Sequence, residues 1–502
     1  MSLPNSELAL PTRRTALARE MGLVGLTATG IASMIGVAIQ IIPVMLQKTV
    51  PGIGPYVLPA FLVAAIPAML AGLAYAVLAS AMPRAGGSYV YASRGLNPYL
   101  GFIASFSQWF ALCVAIGVVS YVLVPFVRDL VASQGAMNVA TALDSGTVRL
   151  TLPLAVLWTF TGVNLLGVRS YERILVPLVG LTIVLVGIVI IVGFRFNHAD
   201  YSRALAAQAG VALSAEPDSP FNLRAFGIAC TVLFSTFIGF DSIAQAGGEA
   251  THPERNLPLA LGLAVGLTVV FYMLFTSAVY HAVPWWHVAA ESAKHDVTAP
   301  GLLAAVLPAP WPLLILVGAV VALVKDLPAM LLSVSRLMFA WADDGIFPRA
   351  IAAVHPRWRT PYRAILASAL MSSLAIVGCH LAGSFFLGVD ILVTASLVNF
   401  ILICMAVLTL PARNPSLASA VRVLPSRTAQ RALGVSGIVV LSLFLLMHTW
   451  KDLTASTPWY LRSTPLWVVV MAIGSAIYAR EVTALRRNGT DVRALFATLP
   501  PE

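Results

Sequence analysis

The chain has 502 residues, of which 59% are hydrophobic and only 10% are charged. A soluble domain carries roughly 25% charged residues, so this composition indicates a protein embedded in a membrane and excludes an ordinary water-soluble domain. The net charge of +10 needs no nucleic acid to explain it, because membrane topology and contact with anionic lipid account for an excess of arginine.

The apolar residues form about twelve long stretches, which we number as spans 1 to 12 in chain order. Most are near the ~20 residues with which a helix crosses ~30 Å of hydrocarbon. Because they lack a two-residue alternation, they predict helices rather than the strands of a membrane barrel. The predicted spans are 22–47, 55–82, 100–131, 149–167, 172–195, 224–248, 257–284, 308–342, 363–382, 385–410, 432–450 and 464–481.

The distribution of arginine and lysine predicts the orientation of these spans. With twelve spans, both termini lie on one side of the membrane. Placing that side in the cytoplasm assigns most of the 31 Lys and Arg residues to cytoplasmic segments, as the positive-inside rule requires. We therefore expect a multi-pass protein of the cell (inner) membrane, with cytoplasmic N- and C-termini.

Spans 1 and 6 differ from the others because glycine and polar residues lie near their middle. Span 1 contains GIASMIGVAIQ at 30–40, and span 6 contains FSTFIGFDS at 234–242. Interrupted helices at corresponding positions of two five-span halves point to a transporter binding site at the membrane midplane. A broken helix exposes N–H and C=O groups that only a substrate, an ion or protein can satisfy. The alternative is that these glycines merely allow close helix packing.

Three stretches then carry the signature of a known family. They are AYAVLASAMPRAGGSYVY at 74–91, IGFDSIA at 238–244 with GEATHPERNLP at 248–258, and SRLMFA at 335–340 with DGIFP at 344–348 and His355-Pro356. On these residues the chain resembles the amino acid–polyamine–organocation permease superfamily, from about 22 to 410. The resemblance implies an all-α membrane fold with a five-plus-five inverted repeat, broken spans 1 and 6, two peripheral spans, and transport by alternating access.

The resemblance also implies the division of the chain. Its transporter core is 22–410, with repeats at about 22–195 and 224–410, and spans 11 and 12 at 432–481 are peripheral. Cytoplasmic segments complete the chain: an N-terminal tail at 1–21, a basic connector at 411–431 and a C-terminal tail at 482–502.

Span 1 departs from the family at the predicted binding site. Relatives that bind α-amino acids usually have Gly-x-Gly there, and its bare backbone amides hold the substrate carboxylate. The matching triplet here is Gly36-Val37-Ala38. A branched Val and an Ala in place of Gly narrow the approach and stiffen the break. An amine, a substituted amino acid or a smaller solute is therefore also a candidate substrate.

In span 6, the acidic side chain of Asp241 has two possible roles. It attracts a substrate amine or carries a proton, or it caps the second half-helix. The resemblance suggests that Phe234 closes over the substrate and Phe240 lines the pocket, although aromatic rings near a break also serve as ordinary packing. The predicted substrate-binding residues are Ser33, Met34, Gly36, Val37, Ala38, Phe234, Ser235, Phe237, Gly239, Phe240 and Asp241.

Span 8 departs from the sodium-coupled relatives, which usually supply hydroxyl and carbonyl ligands to sodium there. The matching hydroxyl positions are Pro328 and Ala329, and an ammonium group arrives at Lys325. Some relatives place a lysine of span 5 in the vacated ion site, but 180–182 contain none. We therefore predict a coupling role for Lys325 and Asp326, because an intramembrane lysine costs at least about 2.5–3.5 kcal/mol unless it is paired.

Two alternatives to that coupling role remain open. Lys325 forms a structural ion pair with Asp326 or with a neighbouring helix, or the edge of the span is misplaced. Adjacent residues on a helix point about 100° apart, which disfavours a direct pair between these two.

Charged residues near the cytoplasmic ends of the spans are candidates for a gate. Arg84, Glu249 and Arg255 could close the cytoplasmic side through ion pairs. The alternative is solvation of the helix ends.

These observations predict a secondary active transporter of an amino acid or amine, coupled to protons or exchanging rather than coupled to sodium. A transport-inactive sensor or scaffold on the same fold, and a transporter of polyamines or other organic cations, are the alternatives. A membrane enzyme would need convergent His, Asp or Cys side chains, and the sequence shows no metal or nucleotide motif. We expect no cofactor and no metal. The expected partners are a small-molecule substrate, membrane lipids and possible coupling protons, but not nucleic acid.

Overall fold

The computed structural model describes residues 17–143, 145–210, 212–294, 297–304, 307, 311–382, 386–455 and 458–500. Within them, twelve helices are long and apolar enough to cross a membrane, and the β-structure is confined to isolated bridges. The spans are Leu23–Thr49, Gly54–Ala81, Pro98–Arg128, Gly146–Leu165, Val168–Arg195, Leu223–Gln245, Pro253–Ala282, Trp311–Asp343, Tyr362–Leu381, Leu387–Arg413, Arg427–Leu453 and Ser463–Arg487. The all-α, twelve-span prediction is confirmed.

The largest differences from the predicted edges are at the start of span 11 and the end of span 12. Span 11 begins at Arg427 and span 12 ends at Arg487, several residues beyond the apolar stretches. Hydropathy detects only the part of a helix that lies in hydrocarbon, whereas arginine-rich turns continue the same helix into the polar boundary.

Span 1 is interrupted between helices Leu23–Met34 and Val37–Thr49. Span 6 is interrupted after helix Leu223–Phe234, which passes through a 3₁₀ turn and extended backbone before helix Ser242–Gln245. Successive spans cross the membrane in alternating directions. Span 6 comes five spans after span 1, so the two run in opposite directions. Their broken segments therefore meet in the middle of the protein.

The two breaks approach each other through a glycine. Gly239 has φ +132°, and a Cβ there would collide with the carbonyl oxygen of Ser33. Close packing also explains Gly30, where a Cβ would collide with Ile243 and Ala264. Both explanations of these glycines therefore hold, at different positions: Gly30 allows helix packing and Gly239 allows the break.

The two ends of the described chain lie together on one face, which we call the terminal face. Residues before span 1 contact the end of span 6, since the backbone N–H of Met21 donates to the carbonyl of Glu249 at 2.9 Å. The C-terminal segment contacts the same region, where Arg84 Nε donates to the carbonyl of Pro500 at 3.1 Å. Spans 11 and 12 pack outside the ten-span core, against spans 2, 3 and 10.

Candidate functional site

A cavity lies beside the two broken segments and reaches the face opposite the terminal face. Spans 1, 3, 6, 8, 10 and 11 form its wall. The structure brings eight of the predicted binding and coupling residues together on this wall: Ser33, Met34, Gly36, Ala38, Ser235, Gly239, Asp241 and Asp326. The side chain of Val37, which was also predicted to line the site, lies outside the part of the chain that the structure describes.

Polar side chains hold the broken backbones in place. The hydroxyl of Tyr272, in span 7, lies 2.5 Å from the carbonyl oxygen of Met34 and 3.0 Å from that of Thr236. Ser33 Oγ donates to Ser242 Oγ at 3.0 Å. Carbonyls that lose their helical partners at a break thus find protein partners in the membrane interior.

The predicted coupling residues lie at the break of span 1. Lys325 is fully buried, and its Nζ donates to Asp326 Oδ1 at 2.7 Å and to the carbonyl oxygen of Ala32 at 3.0 Å. Helix geometry was expected to disfavour a direct pair between these adjacent residues, and the structure shows that the pair forms. The lysine side chain is long enough to bend back along the helix, and burial of both groups favours the contact because an unpaired charge would be costly.

Asp241 is 1% exposed and does not cap the short helix Ser242–Gln245, so the capping alternative is wrong. Its Oδ2 accepts a hydrogen bond from the amide of Gln108 in span 3. Its Oδ1 has no hydrogen-bond partner among the described residues. A buried carboxylate oxygen without a partner is unfavourable, which makes this atom a candidate ligand contact.

A chain of buried polar groups continues from Asp241 towards the terminal face. Asn399 Nδ2 donates to Gln108 Oε1 at 3.1 Å and to the hydroxyl of Tyr75 at 2.8 Å. The Tyr75 hydroxyl lies 2.5 Å from Ser88 Oγ, which accepts from Gln245 at 2.6 Å. The floor of the cavity is therefore connected by hydrogen bonds to the short helix Gly87–Gly95 that follows span 2.

The three phenylalanines predicted at the site do not line the cavity. Phe240 stacks on Phe400 with ring centroids 5.0 Å apart, and Phe234 packs edge-on against the same ring. Phe237 packs against Phe61 and Tyr272. The structure thus corrects the pocket positions of Phe234, Phe237 and Phe240, because the apolar core behind the broken segment offers each ring more contact than the cavity does.

The predicted gate residues do not pair with one another. Glu249 is buried and forms a bidentate ion pair with Arg336 of span 8, at 2.9 and 2.5 Å. Arg84 donates to the backbone near the C-terminus, and Arg255 is exposed. The predicted grouping therefore needs correction: Arg336 is the partner of Glu249.

A second buried ion pair lies on the terminal face. Arg94 donates to Asp344 at 2.6 and 3.0 Å and packs over the ring of Phe496, 4.7 Å from its centroid. Its Nε also donates to the carbonyl of Thr498. With the Glu249–Arg336 pair, this contact closes the protein between the cavity and the terminal face.

Sequence reasoning missed several polar residues of the cavity and its surroundings. Gln108 and Asn399 are buried amides inside predicted spans, and their position in hydrocarbon could have identified them. His448 lines the cavity, as do Asp390 and Lys451, which pair at 3.1 Å. Polar residues near one end of span 11 were the feature of the sequence that could have identified His448 and Lys451.

Comparison with known proteins agrees with this architecture. The family described as amino acid permease matches residues 21–473. The chain is 26% identical to the methylthioribose transporter of Bacillus subtilis, covering 84% of this chain and 87% of the relative. It is 27% identical to the branched-chain amino acid permease BcaP of the same organism, over 82% and 84%. It is 24% identical to human cationic amino acid transporter 4, over 72% of this chain and 55% of the relative. A broken-helix membrane fold and a family match over most of its length together assign this chain to the amino acid permease family, within the amino acid–polyamine–organocation superfamily.

Proposed function

We propose that this permease is a secondary active transporter of an amino acid or amine, driven by a proton gradient or by exchange and not by sodium. Its substrate would bind between the breaks of spans 1 and 6 and reach either side of the membrane by alternating access. The names of the relatives cover methylthioribose, branched-chain amino acids and cationic amino acids, so they do not select among these substrates.

The observation that carries the coupling proposal is the position of Lys325. Its ammonium group contacts a backbone carbonyl freed by the break of span 1 and a carboxylate of span 8. Oxygen atoms of these two kinds are what a sodium ion would need, so the ammonium takes the place of a bound metal cation. A fixed positive charge there would also repel a second cation.

The ion pairs of the terminal face support the alternating-access part of the proposal. The cavity reaches the opposite face, and buried charges close the terminal face at Glu249–Arg336 and Arg94–Asp344. In the alternate state these pairs would separate as the other side closes. The proposal places the cavity opening outside the cell, with both termini in the cytoplasm.

Uptake into proteoliposomes tests the proposal. The panel contains neutral, acidic and cationic amino acids together with putrescine and ethanolamine, each run under a proton gradient and under a sodium gradient. We expect uptake that does not respond to sodium. Lys325→Ala should reduce gradient-driven accumulation at least tenfold, while Lys294→Ala, on an exposed helix, should behave as the wild type. Sodium-driven uptake, or unchanged coupling in Lys325→Ala, would contradict the coupling role.

A further inference from the structure

The side chains of Lys325 and Asp326 enter the break of span 1. The ammonium group lies at the end of the first half-helix, and the carboxylate lies at the start of the second. The carbonyl of Ala32 would normally accept from the amide of Gly36, but that amide donates to Met34 instead. The ammonium of Lys325 satisfies the Ala32 carbonyl that is left over. The carboxylate of Asp326 lies so close to Gly36 that a Cβ there would collide with it.

This arrangement matches the electrostatics of the two half-helices. Ala32 is in the last turn of helix Leu23–Met34, whose C-terminal end carries partial negative charge and favours an ammonium group. Gly36 is the residue before helix Val37–Thr49, whose N-terminal end carries partial positive charge and favours a carboxylate. An amino acid zwitterion carries one ammonium group and one carboxylate. Lys325 and Asp326 of span 8 supply the same two charges at the break.

A substrate carboxylate would have to compete with Asp326 for the same helix end. Two carboxylates at one N-terminus repel each other, and the space beside Gly36 is already filled. The break of span 1 therefore offers a substrate no carboxylate site while the Lys325–Asp326 pair is in place.

Three described residues of the cavity wall have a buried polar atom without a hydrogen-bond partner: Asp241, Ser333 and His448. Asp241 is the acidic one among them. Among the described lining residues, Asp326 pairs with Lys325 and Asp390 pairs with Lys451. Asp241 forms no ion pair within the described chain, is 1% exposed, and leaves Oδ1 without a hydrogen bond. A cation from outside the protein would complete the site.

The rest of the wall is largely apolar, and includes Leu112 and Ala115, which lie one and two helical turns beyond Gln108 on span 3. Apolar side chains of this kind accommodate the hydrocarbon body of a ligand, while a single polar group fixes its orientation. The complementary molecule therefore has an ammonium group on an apolar body.

We propose that the substrate is an organic amine without a carboxylate, held by Asp241, and that Asp326 excludes α-amino acids by occupying their carboxylate site. This inference rests on the proposed transport function and narrows its substrate class. It separates two roles that the cavity carboxylates could otherwise share: Asp326 selects against a carboxylate and Asp241 selects for an amine.

Matched ligand pairs test this inference by calorimetry on the purified full-length protein. Each pair differs only in the carboxylate: phenethylamine with phenylalanine, and isoamylamine with leucine. We expect each amine to bind at least about tenfold more tightly than its amino acid, because the carboxylate of the amino acid would be repelled by Asp326 at the occupied helix end. Asp241→Asn should abolish amine binding, and Asp218→Asn, on an exposed loop, should leave it unchanged.

A second variant tests the exclusion of carboxylates. The double variant Lys325→Gln/Asp326→Asn removes both charges together, which avoids leaving an unpaired ion in the interior. It should bind the amino acids at least about tenfold more tightly than the wild type does, because the helix end is freed. Unchanged amino acid binding in a folded double variant would contradict the exclusion role.

The outcomes distinguish this inference from the proposed function. Wild-type protein that binds and exchanges the amino acids more strongly than the amines would overturn the inference, and the transporter proposal would stand. Amine binding that survives Asp241→Asn would also overturn it. Absence of binding and exchange for every compound of both panels would overturn both proposals.

Discussion

Tyr272 joins the two broken segments through one hydroxyl group. It reaches the carbonyl oxygens of Met34 and Thr236, one from each break. A single hydroxyl proton is shared between two acceptors that have lost their helical donors. Because lipid offers no hydrogen-bond donors in the membrane interior, this contact stabilises the interrupted backbones and their relative position.

Tyr272→Phe should therefore lower stability and impair transport. The carbonyl of Met34 keeps its hydrogen bond from the amide of Gly36, but the buried carbonyl of Thr236 loses the donor that Tyr272 supplies. An unsatisfied buried acceptor costs about 1–3 kcal/mol.

Tyr280→Phe is the matched control. Tyr280 is also in span 7, and its hydroxyl donates to the carbonyl of Pro43, which lies in span 1 away from the break. We expect both variants to unfold at lower temperature in detergent, and only Tyr272→Phe to lose uptake as well. Equal uptake by the two variants would contradict a specific role at the break.

At the scale of the helical elements, the close approach of spans 1 and 6 depends on a glycine, which has no side chain to hold them apart. Gly239 has φ +132° and lies against the carbonyl of Ser33, so an L-residue there is both strained and obstructed. The polar chain from Asp241 through Gln108 and Asn399 begins beside this contact. The position of one short non-helical segment thus determines the floor of the cavity.

Gly239→Ala tests the dependence on this approach. The strained backbone alone costs about 1–3 kcal/mol, and the collision with Ser33 adds to it, so the two breaks should separate. We expect a lower unfolding temperature and at least a tenfold loss of uptake. Gly162→Ala in span 4 is the control, because nothing lies within 4 Å of a Cβ there. The prediction fails if the two alanine variants are equally stable and active.

At the scale of the whole molecule, both ends of the described chain lie on one face. The C-terminal segment packs there: Phe496 is 5% exposed, and Asn414 donates to the carbonyl of Ala497 at 2.7 Å. The C-terminal tail is thus part of the folded surface of the terminal face. From the positive-inside rule we expect this face to lie in the cytoplasm.

Labelling of introduced cysteines in intact cells tests that orientation. The native cysteines (Cys113, Cys230, Cys379 and Cys404) are all buried, so they should contribute little background. Ala215→Cys lies in an exposed loop of the opposite face and should react with a membrane-impermeant maleimide. Ala420→Cys lies in the exposed connector after span 10 and should react only after permeabilisation. The reverse pattern would place the termini outside the cell.

Much of this fold follows from local properties of the sequence. A span is visible as a run of apolar residues because each residue responds to the same hydrocarbon around it. The breaks of spans 1 and 6 were predictable for a similar reason, since glycine and polar residues inside a span are costly unless they serve a purpose. The twelve spans and eight of the residues that line the cavity could therefore be predicted from the sequence.

The pairing and packing partners of individual side chains were decided only by the tertiary structure. The sequence places Glu249 at the end of span 6 and Arg336, 87 residues later, within span 8, and nothing local indicates that they pair. Phe240 and Asp241 are neighbours in the turn before helix Ser242–Gln245, yet Phe240 packs into the core and Asp241 lines the cavity. Asp326 was visible as an intramembrane charge, but its contact with Gly36 requires two distant spans to meet. Local composition determines where a chain crosses the membrane, whereas ion pairs and cavity walls depend on contacts between residues that only folding brings together.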